Sequence, residues 1–155
     1  MTSAFNPEIL REYDIRGIAD RDLTDPVIEL LGRAFAEYLK PSGTNRVAIG
    51  YDARLSSPRL RDALGRGLTA SGFDVIDIGL CPTPALYFSL YHLKPGAGIM
   101  ITGSHNPAEF NGFKLSVGST SLHGDGIQRL YQLIAGSENA AKKGTVKEIQ
   151  PINEY

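Results

Sequence analysis

The sequence has a single cysteine, little excess charge of either sign and no long apolar run. Because Cys81 has no cysteine partner, no disulfide framework can form within the chain. No stretch approaches the roughly 20 apolar residues of a membrane-spanning helix, and the polar N-terminus lacks the apolar core of a signal peptide. A formal net charge of −1 gives no reason to expect nucleic acid or an anionic membrane as a partner. We therefore expect a cytoplasmic protein without either partner.

The length and composition of the sequence are those of an ordinary globular domain. The 155 residues suffice for one domain and are too few for two of usual size. Hydrophobic residues make up 42% of the sequence and charged residues 21%, which is normal for a soluble protein. We predict one domain over residues 1–140, followed at 141–155 by an edge strand and a linker to a further domain.

Apolar spacing and turn residues predict alternating helices and strands. The predicted helices cover about 26–39, 58–70, 84–93 and 127–134. The predicted strands cover 47–51, 73–79, 97–102 and 113–117, with a weaker pattern at 145–149. We expect Ser56 or Ser57 to cap the second helix, and we expect the chain to reverse direction at Gly17.

The order of these elements predicts a three-layer α/β/α domain. Two strand–helix–strand units with right-handed crossovers give a parallel sheet with helices packed on it. The link between the strands at 97–102 and 113–117 is too short for a helical crossover. We therefore expect the strand at 113–117 to run antiparallel to its neighbour.

The stretch from Gly98 to Pro107 is the most suggestive part of the sequence. It begins as a buried strand that ends at Gly103. The Asn-Pro pair at 106–107 then indicates a turn. Ser104 and His105 lie between these points, where a side chain is exposed while the sheet holds its backbone. This placement suits a covalent role for Ser104, and an ordinary strand exit with a solvated serine is the equally weighted alternative.

Two common serine and phosphate motifs are excluded at this stretch. The nucleophile elbow of a serine hydrolase needs glycine two residues before and two residues after the serine. Here those positions are Thr102 and Asn106. A P-loop also fails, because no Gly-Lys-Ser/Thr sequence follows a strand anywhere in the chain.

Three motifs together resemble the α-D-phosphohexomutase family. They are Thr102-Gly-Ser-His-Asn-Pro107, Asn111-Gly-Phe-Lys114 and Arg11-Glu-Tyr-Asp-Ile-Arg-Gly17, and they occur in the order that the family shows. The residues of these motifs most resemble those of the bacterial phosphomannomutase/phosphoglucomutase branch. The resemblance spans essentially the whole chain, but it covers only the first of the family's four domains.

The resemblance implies a mixed four-stranded sheet. Its strand order is 2-1-3-4 with the fourth strand antiparallel, counting the strands at 47–51, 73–79, 97–102 and 113–117. The first and third strands are then neighbours, and ligands favour the crevice beyond the carboxyl ends of such strands. We therefore expect the loops at Asp52–Ser57 and Gly103–Pro107 to meet.

The resemblance also implies a reaction, an interconversion of hexose 1-phosphate and hexose 6-phosphate through a 1,6-bisphosphate. Ser104, as a phosphoserine, donates its phosphoryl group to the phosphosugar and later receives the other phosphate back. The motif match implies catalytic roles for Ser104, His105, Lys114 and Arg16. It implies phosphate or substrate binding by Tyr13, Arg16, Arg54 and Lys114.

The cofactors and partners implied by the resemblance lie partly outside this sequence. Mg²⁺ is expected to bind Ser104 through its phosphate and to be shared with aspartates of a second domain, whose motif is absent here. Glucose or mannose 1,6-bisphosphate is the expected activator, and the remaining domains of a longer enzyme are expected partners. We expect this fragment alone to be inactive. The alternatives are a phosphoglucosamine mutase domain and a non-catalytic phosphate-binding module.

Overall fold

A mixed β-sheet forms the centre of the structure, a computed structural model that describes residues 6–134 and 144–149. Its strands are β1 (Ile15–Ile18), β2 (Arg46–Tyr51), β3 (Asp74–Leu80), β4 (Gly96–Ile101), β5 (Phe110–Val117), β6 (Thr120–Ser121) and β7 (Val146–Glu148). Six of them follow the order β1-β5-β4-β2-β3-β7, and β6 pairs with β5.

The strand order predicted for the central four strands is confirmed. In the numbering of the structure it is β3-β2-β4-β5, with β2 parallel to β3 and β4, and β5 antiparallel to β4. The sheet has more strands than the predicted four, because β1 and β7 extend it at opposite edges and β6 forms a hairpin with β5. β7 lies within the weak pattern at 145–149, whereas residues 141–143 and 150–155 of the predicted linker lie outside the described residues.

The predicted chain reversal at Gly17 is wrong. Gly17 lies inside β1, where it pairs with Asn111 of the antiparallel β5. The glycine is needed for close packing, since a Cβ there would lie 2.9 Å from Cβ of Asp22 and 3.2 Å from Ile9. The N-terminal motif therefore ends in a strand at the sheet edge, with a glycine where other side chains approach its backbone.

Helices cover both faces of the sheet, as the three-layer prediction requires. They are α1 (Ala19–Asp22), α2 (Asp25–Leu39), α3 (Ser57–Ala70), α4 (Thr83–His92) and α5 (Asp125–Ile134). Short 3-10 helices lie at Pro7–Ile9 and Lys40–Ser42. Within the described ranges, no helix combines the length and apolar character needed to cross a membrane.

Alternate residues of the strands divide the core into two clusters. The larger cluster joins α2, α3 and α5 to one face of the sheet, with Phe35 and Phe113 among its fully buried side chains. The smaller cluster lies on the other face, where α4 contributes Leu86 and the strands contribute Ile78 and Met100. Because both faces of the central strands are buried, their sequences are nearly continuous apolar runs.

Helices α2 and α3 approach each other at glycines. A Cβ on Gly67 would lie 2.2 Å from the carbonyl oxygen of Glu29, and a Cβ on Gly32 would lie 2.6 Å from that of Leu64. Real side chains do not tolerate such distances, so the two backbones can pack this closely only with glycine at both positions. Gly65, two residues before Gly67 in α3, has no neighbouring atom within 4 Å of such a Cβ.

This contrast predicts opposite effects of alanine at two positions of one helix. Gly67→Ala should lower the free energy of unfolding by about 1–3 kcal/mol, because the added methyl group forces α2 and α3 apart. Gly65→Ala should raise it by up to about 1 kcal/mol, since alanine is the better helix former and the space is open. Urea denaturation of the two variants measures the difference, and equal stabilities would contradict the packing described.

Candidate active site

The loops that follow β2 and β4 are in contact, which confirms the expectation that they meet. We call residues 102–109, between β4 and β5, the serine loop. The backbone N–H of Gly103 in this loop donates a hydrogen bond to Oδ2 of Asp52, at 3.1 Å. Asp52 is the first residue after β2, and β2 and β4 are parallel neighbours. Their carboxyl ends therefore bring the two loops to one edge of the sheet.

Ser104 is exposed and has an unusual backbone conformation. Its φ is +53°, in the left-handed region that few residues other than glycine adopt. Its N–H donates to Oγ1 of Thr102 at 3.0 Å, and the N–H of Asn106 donates to the carbonyl oxygen of Gly103 at 3.0 Å. A left-handed residue of this kind persists only when its surroundings hold it. The serine loop is thus a fixed turn with the hydroxyl-bearing residue at its exposed tip.

Arg54 reaches from the loop after β2 into the serine loop and binds its backbone. Nη1 donates to the carbonyl oxygens of Pro107 and Phe110, at 2.6 and 3.1 Å. Nη2 donates to the carbonyl oxygens of Ser104 and Asn106, at 3.2 and 2.7 Å. One guanidinium therefore holds four carbonyl groups, three in the serine loop and that of Phe110 at the start of β5.

Asp52 stabilises the same arrangement from the other side. Its Oδ2 lies 3.3 Å from Nε of Arg54, and its Oδ1 accepts hydrogen bonds from the Ser57 hydroxyl at 2.7 Å and the Arg54 N–H at 3.1 Å. Burial acts to raise the pKa of Asp52, but hydrogen bonds from Ser57, Arg54, Thr102 and Gly103 outweigh it, so this pKa lies below its usual value. The carboxylate is thus held in its charged form.

Asn111 connects the start of β5 to the start of α3. Its buried side-chain amide donates to the hydroxyls of Ser56 and Ser57, at 2.8 and 2.9 Å, and its Oδ1 accepts from the N–H of Gly112 at 2.8 Å. Ser56 occupies the cap position of α3 without a side-chain capping bond. The side-chain cap predicted from Ser56 or Ser57 is therefore wrong: Ser56 makes no capping bond, and Ser57 is the first residue of the helix, where its hydroxyl donates to Asp52.

Two cations meet at a buried carboxylate beside the serine loop. Arg16 donates through Nη2 to Oδ2 of Asp14 and through Nη1 to Oδ1 of Asn106 in the serine loop, at 2.7 Å. The Nζ of Lys114 lies 3.5 Å from the same oxygen of Asp14, whose residue is only 7% exposed. The antiparallel pairing of β1 with β5 places Arg16 opposite Gly112, which brings the two cations together.

The remaining predicted site residues are exposed. His105 lies in the serine loop directly after Ser104. Tyr13 is 71% exposed, and its ring makes an edge contact with the ring of His123, with centroids 6.1 Å apart. Within residues 6–134 and 144–149, the structure gives Tyr13 no hydrogen bond to the serine loop. An open depression of about 470 Å³ adjoins the loop, lined by Ala53, Arg54, Leu55, Asn106 and Ala108.

Three polar residues of the site were not predicted from the sequence. Asp52 accepts bonds from backbone N–H groups of both loops, Asn111 binds the two serine hydroxyls at the start of α3, and Asp14 pairs with the cations. Asp14 directly precedes β1, so its position would have indicated a partnership with Lys114 if the N-terminal motif had been recognised as a strand.

The described residues do not form a metal site by themselves. They include no group of three or more His, Cys, Asp or Glu side chains placed to hold an ion. The nearby carboxylates of Asp14 and Asp52 already pair with arginine, lysine and backbone N–H groups. A metal at Ser104 would therefore take most of its ligands from outside this part of the chain.

Comparisons with known proteins agree on one family. The family described as "Phosphoglucomutase/phosphomannomutase, alpha/beta/alpha domain I" matches residues 7–141. A phosphoglucomutase of Neisseria meningitidis serogroup B is 43% identical over 150 residues, which are 96% of this chain and 33% of the relative. A phosphomannomutase/phosphoglucomutase of Pseudomonas aeruginosa is 39% identical over 147 residues, 95% of this chain and 32% of the relative.

A solved structure shows the same fold. A phosphoglucomutase/phosphomannomutase family protein of Burkholderia thailandensis superposes with a TM-score of 0.89 at 36% identity, over 97% of this chain and 35% of the other. The chain thus spans about a third of the length of the curated relatives that it matches.

The lowered pKa of Asp52 predicts a pH-dependent contribution to stability. A carboxylate whose folded pKa is depressed stabilises the fold above its unfolded pKa of about 4, and that contribution is lost as the pH falls through the folded value. Asp52→Asn should therefore be less stable than the wild type at pH 7, and the difference should shrink below about pH 4. Urea denaturation across this range measures it, with Asp20→Asn at a 96% exposed carboxylate as the control for net charge. A difference that stays constant or grows on acidification would contradict the assignment.

Proposed function

The chain belongs to the phosphoglucomutase/phosphomannomutase family as its domain I, and from this premise we propose that Ser104 is the phosphoryl carrier of a hexose-phosphate mutase. The proposal depends mainly on one observation. The turn that exposes Ser104, in its left-handed conformation, also carries Asn106, which binds Arg16. The serine loop thereby carries the nucleophilic oxygen and also binds a cation, the Arg16 guanidinium of β1. Because some relatives are named phosphoglucomutase and others phosphomannomutase, glucose and mannose phosphates are the proposed substrates.

The proposed reaction transfers one phosphoryl group in each direction. In the first step the bond between phosphorus and Oγ of Ser104 breaks, and a bond forms between phosphorus and a hydroxyl oxygen of the hexose monophosphate. The proton of that hydroxyl ends on Oγ, which becomes a serine hydroxyl, and the second step reverses this exchange. The resulting 1,6-bisphosphate then returns its other phosphoryl group to Oγ of Ser104. The serine ends as it began, and the net change is an isomerisation.

The charges around Ser104 support this role. A phosphoserine carries roughly −1.5 to −2 charges at neutral pH, and its transfer requires cations at the phosphoryl oxygens. Arg16 and Lys114 supply two positive charges, and Asp14 offsets one of them while fixing the positions of both. We propose that these two cations stabilise the charge that develops during transfer, and that His105 and Tyr13, both exposed, contact the phosphosugar.

The proposed cofactor is Mg²⁺. When bound, it would shield the charge on the phosphoryl oxygens. Ser104, through its phosphate, is the proposed ligand from this chain, and carboxylates of another domain would supply the rest. A hexose 1,6-bisphosphate is the proposed activator, since it can phosphorylate a serine that has lost its phosphate.

Substitution of the proposed carrier tests the function in the full-length protein. Ser104→Ala should lower the turnover of glucose 1-phosphate at least about a thousandfold, because the group that forms the covalent intermediate is gone. The stability should change by no more than about 0.5 kcal/mol, since the lost hydroxyl is exposed. Ser119→Ala, at another exposed serine in a turn, is the matched control and should keep its activity. Similar activity of the two variants would overturn the proposed role of Ser104.

The chain alone should lack turnover. It spans about a third of the length of its relatives, and phosphoryl transfer depends on groups positioned around the whole substrate. The measurement is an assay of the purified chain with glucose 1-phosphate, Mg²⁺ and glucose 1,6-bisphosphate. A turnover number on the order of 1–1000 per second, as in a typical complete enzyme, would contradict this expectation.

A further inference from the structure

All three nitrogens of the Arg54 guanidinium have partners within the protein. Arginine carries five N–H donors and no acceptor. In Arg54 the four donors on Nη1 and Nη2 match four bonds to carbonyl oxygens, three in the serine loop and one at Phe110, and Nε forms an ion pair with Asp52 at 3.3 Å. The side chain is only 16% exposed. A phosphate could therefore bind this guanidinium only if the loop first released it.

The bonds to Arg54 determine which way the peptide groups of the serine loop face. In a planar trans peptide, the carbonyl group and the N–H of the next residue point in opposite directions. The carbonyls of Ser104 and Pro107 point at Arg54. The N–H groups of His105 and Ala108 consequently point away from it. Carbonyl oxygens are thus drawn inward, and N–H donors that suit an anion face outward.

Both peptide groups of Ser104 are held in this way. Its N–H binds Oγ1 of Thr102, and its carbonyl oxygen binds Arg54. These bonds hold the left-handed φ of +53° that exposes the hydroxyl. Gly103 leaves the necessary room, because a Cβ at that position would lie 2.3 Å from Cζ of Arg54.

We propose that Arg54 is a positioning residue for the phosphoryl carrier, which shapes the serine loop from within and does not bind the transferred phosphate. This positioning role refines the proposed function, and its predicted effect on catalysis rests on that function. The resemblance to the family assigns Arg54 to phosphate binding, whereas its contacts in this chain favour the loop-shaping role. Arg54 acts on the reaction only through the conformation of Ser104 and of the N–H groups beside it.

The structural part of the proposal is tested on the chain itself by amide hydrogen exchange. The N–H groups of Asn106 and Phe110 close two turns of the serine loop by binding the carbonyl oxygens of Gly103 and Pro107. In Arg54→Ala their exchange should accelerate at least about tenfold, because the carbonyls lose their common partner and the loop opens more often. Arg54→Lys should accelerate it similarly, since a lysine point charge cannot replace a planar fork with five donors.

Arg59 provides a matched control. Its guanidinium also binds backbone carbonyls, those of Leu23 at 3.0 Å and Ala19 at 3.1 Å, and it also pairs with an aspartate, Asp25. These contacts tie α3 to α1 and α2, away from the serine loop. Arg59→Ala should therefore lower stability while the exchange of the two serine-loop amides changes less than about threefold. Unchanged exchange in Arg54→Ala and Arg54→Lys would overturn the proposal.

The catalytic part is tested in the full-length protein with the same variants. Displacement of the Ser104 hydroxyl should lower kcat about a hundredfold in both Arg54 variants, while KM stays within about threefold of the wild-type value. Guanidinium ion added at millimolar concentration should partly restore Arg54→Ala, and ammonium ion should not, because only the planar ion can bind several carbonyls at once. Arg59→Ala should keep the wild-type kcat.

Two outcomes separate this proposal from a phosphate-binding role and from the proposed function. An Arg54→Lys variant that keeps kcat and raises KM would identify Arg54 as a phosphate ligand and would overturn the proposal, because lysine retains a charge for phosphate. A wild-type full-length protein without mutase activity would overturn the proposed function alone. In that case the exchange measurement still decides whether Arg54 shapes the loop.

Discussion

Four backbone carbonyl oxygens, three in the serine loop and one at the start of β5, converge on the guanidinium of Arg54, and the geometry of the site depends on this convergence. A loop of eight residues between two buried strands could adopt many conformations, and the one observed places Ser104 in the left-handed region. Charged hydrogen bonds from a half-buried arginine, itself paired with Asp52, provide the interaction energy that holds it there. The loop after β2 therefore serves as a support for the loop after β4.

The second constraint is the position of the two cations, which the strand pairing of the sheet determines. β1 is added antiparallel to β5, and this pairing brings the N-terminal motif to the edge of the serine loop. Asp14 then binds Arg16 and Lys114 together, although they are nearly 100 residues apart in the sequence. Pairing with the two cations offsets the cost of burying this carboxylate, and it holds the three side chains together. Arg16 connects this unit to the serine loop through Asn106.

Much of this arrangement could be predicted from the sequence, and the failures have physical reasons. The apolar runs predicted the strands β2, β3, β4 and β5, and the short link before β5 predicted its antiparallel direction, whereas their order was implied by the resemblance to the family. The strand β1 was not predicted, because Gly17 is as typical of a turn as of a close contact between strands. Asp14, Asp52 and Asn111 form their bonds with residues distant in sequence, and no local pattern reveals such partners. The direction of the Arg54 side chain depends on where the carbonyls of another loop lie, which the sequence does not contain.

The central claim is that Ser104 carries the phosphoryl group, because the conformation of its loop keeps the serine hydroxyl exposed. Peptide mass mapping of the full-length protein tests it most directly, before and after incubation with glucose 1,6-bisphosphate and again after an excess of glucose 1-phosphate. The claim predicts a phosphoryl group on the peptide that contains Ser104, which appears with the bisphosphate and is passed on to the monophosphate. A stable phosphoryl group on Ser56 or Ser57, or none on the peptide with Ser104, would contradict it.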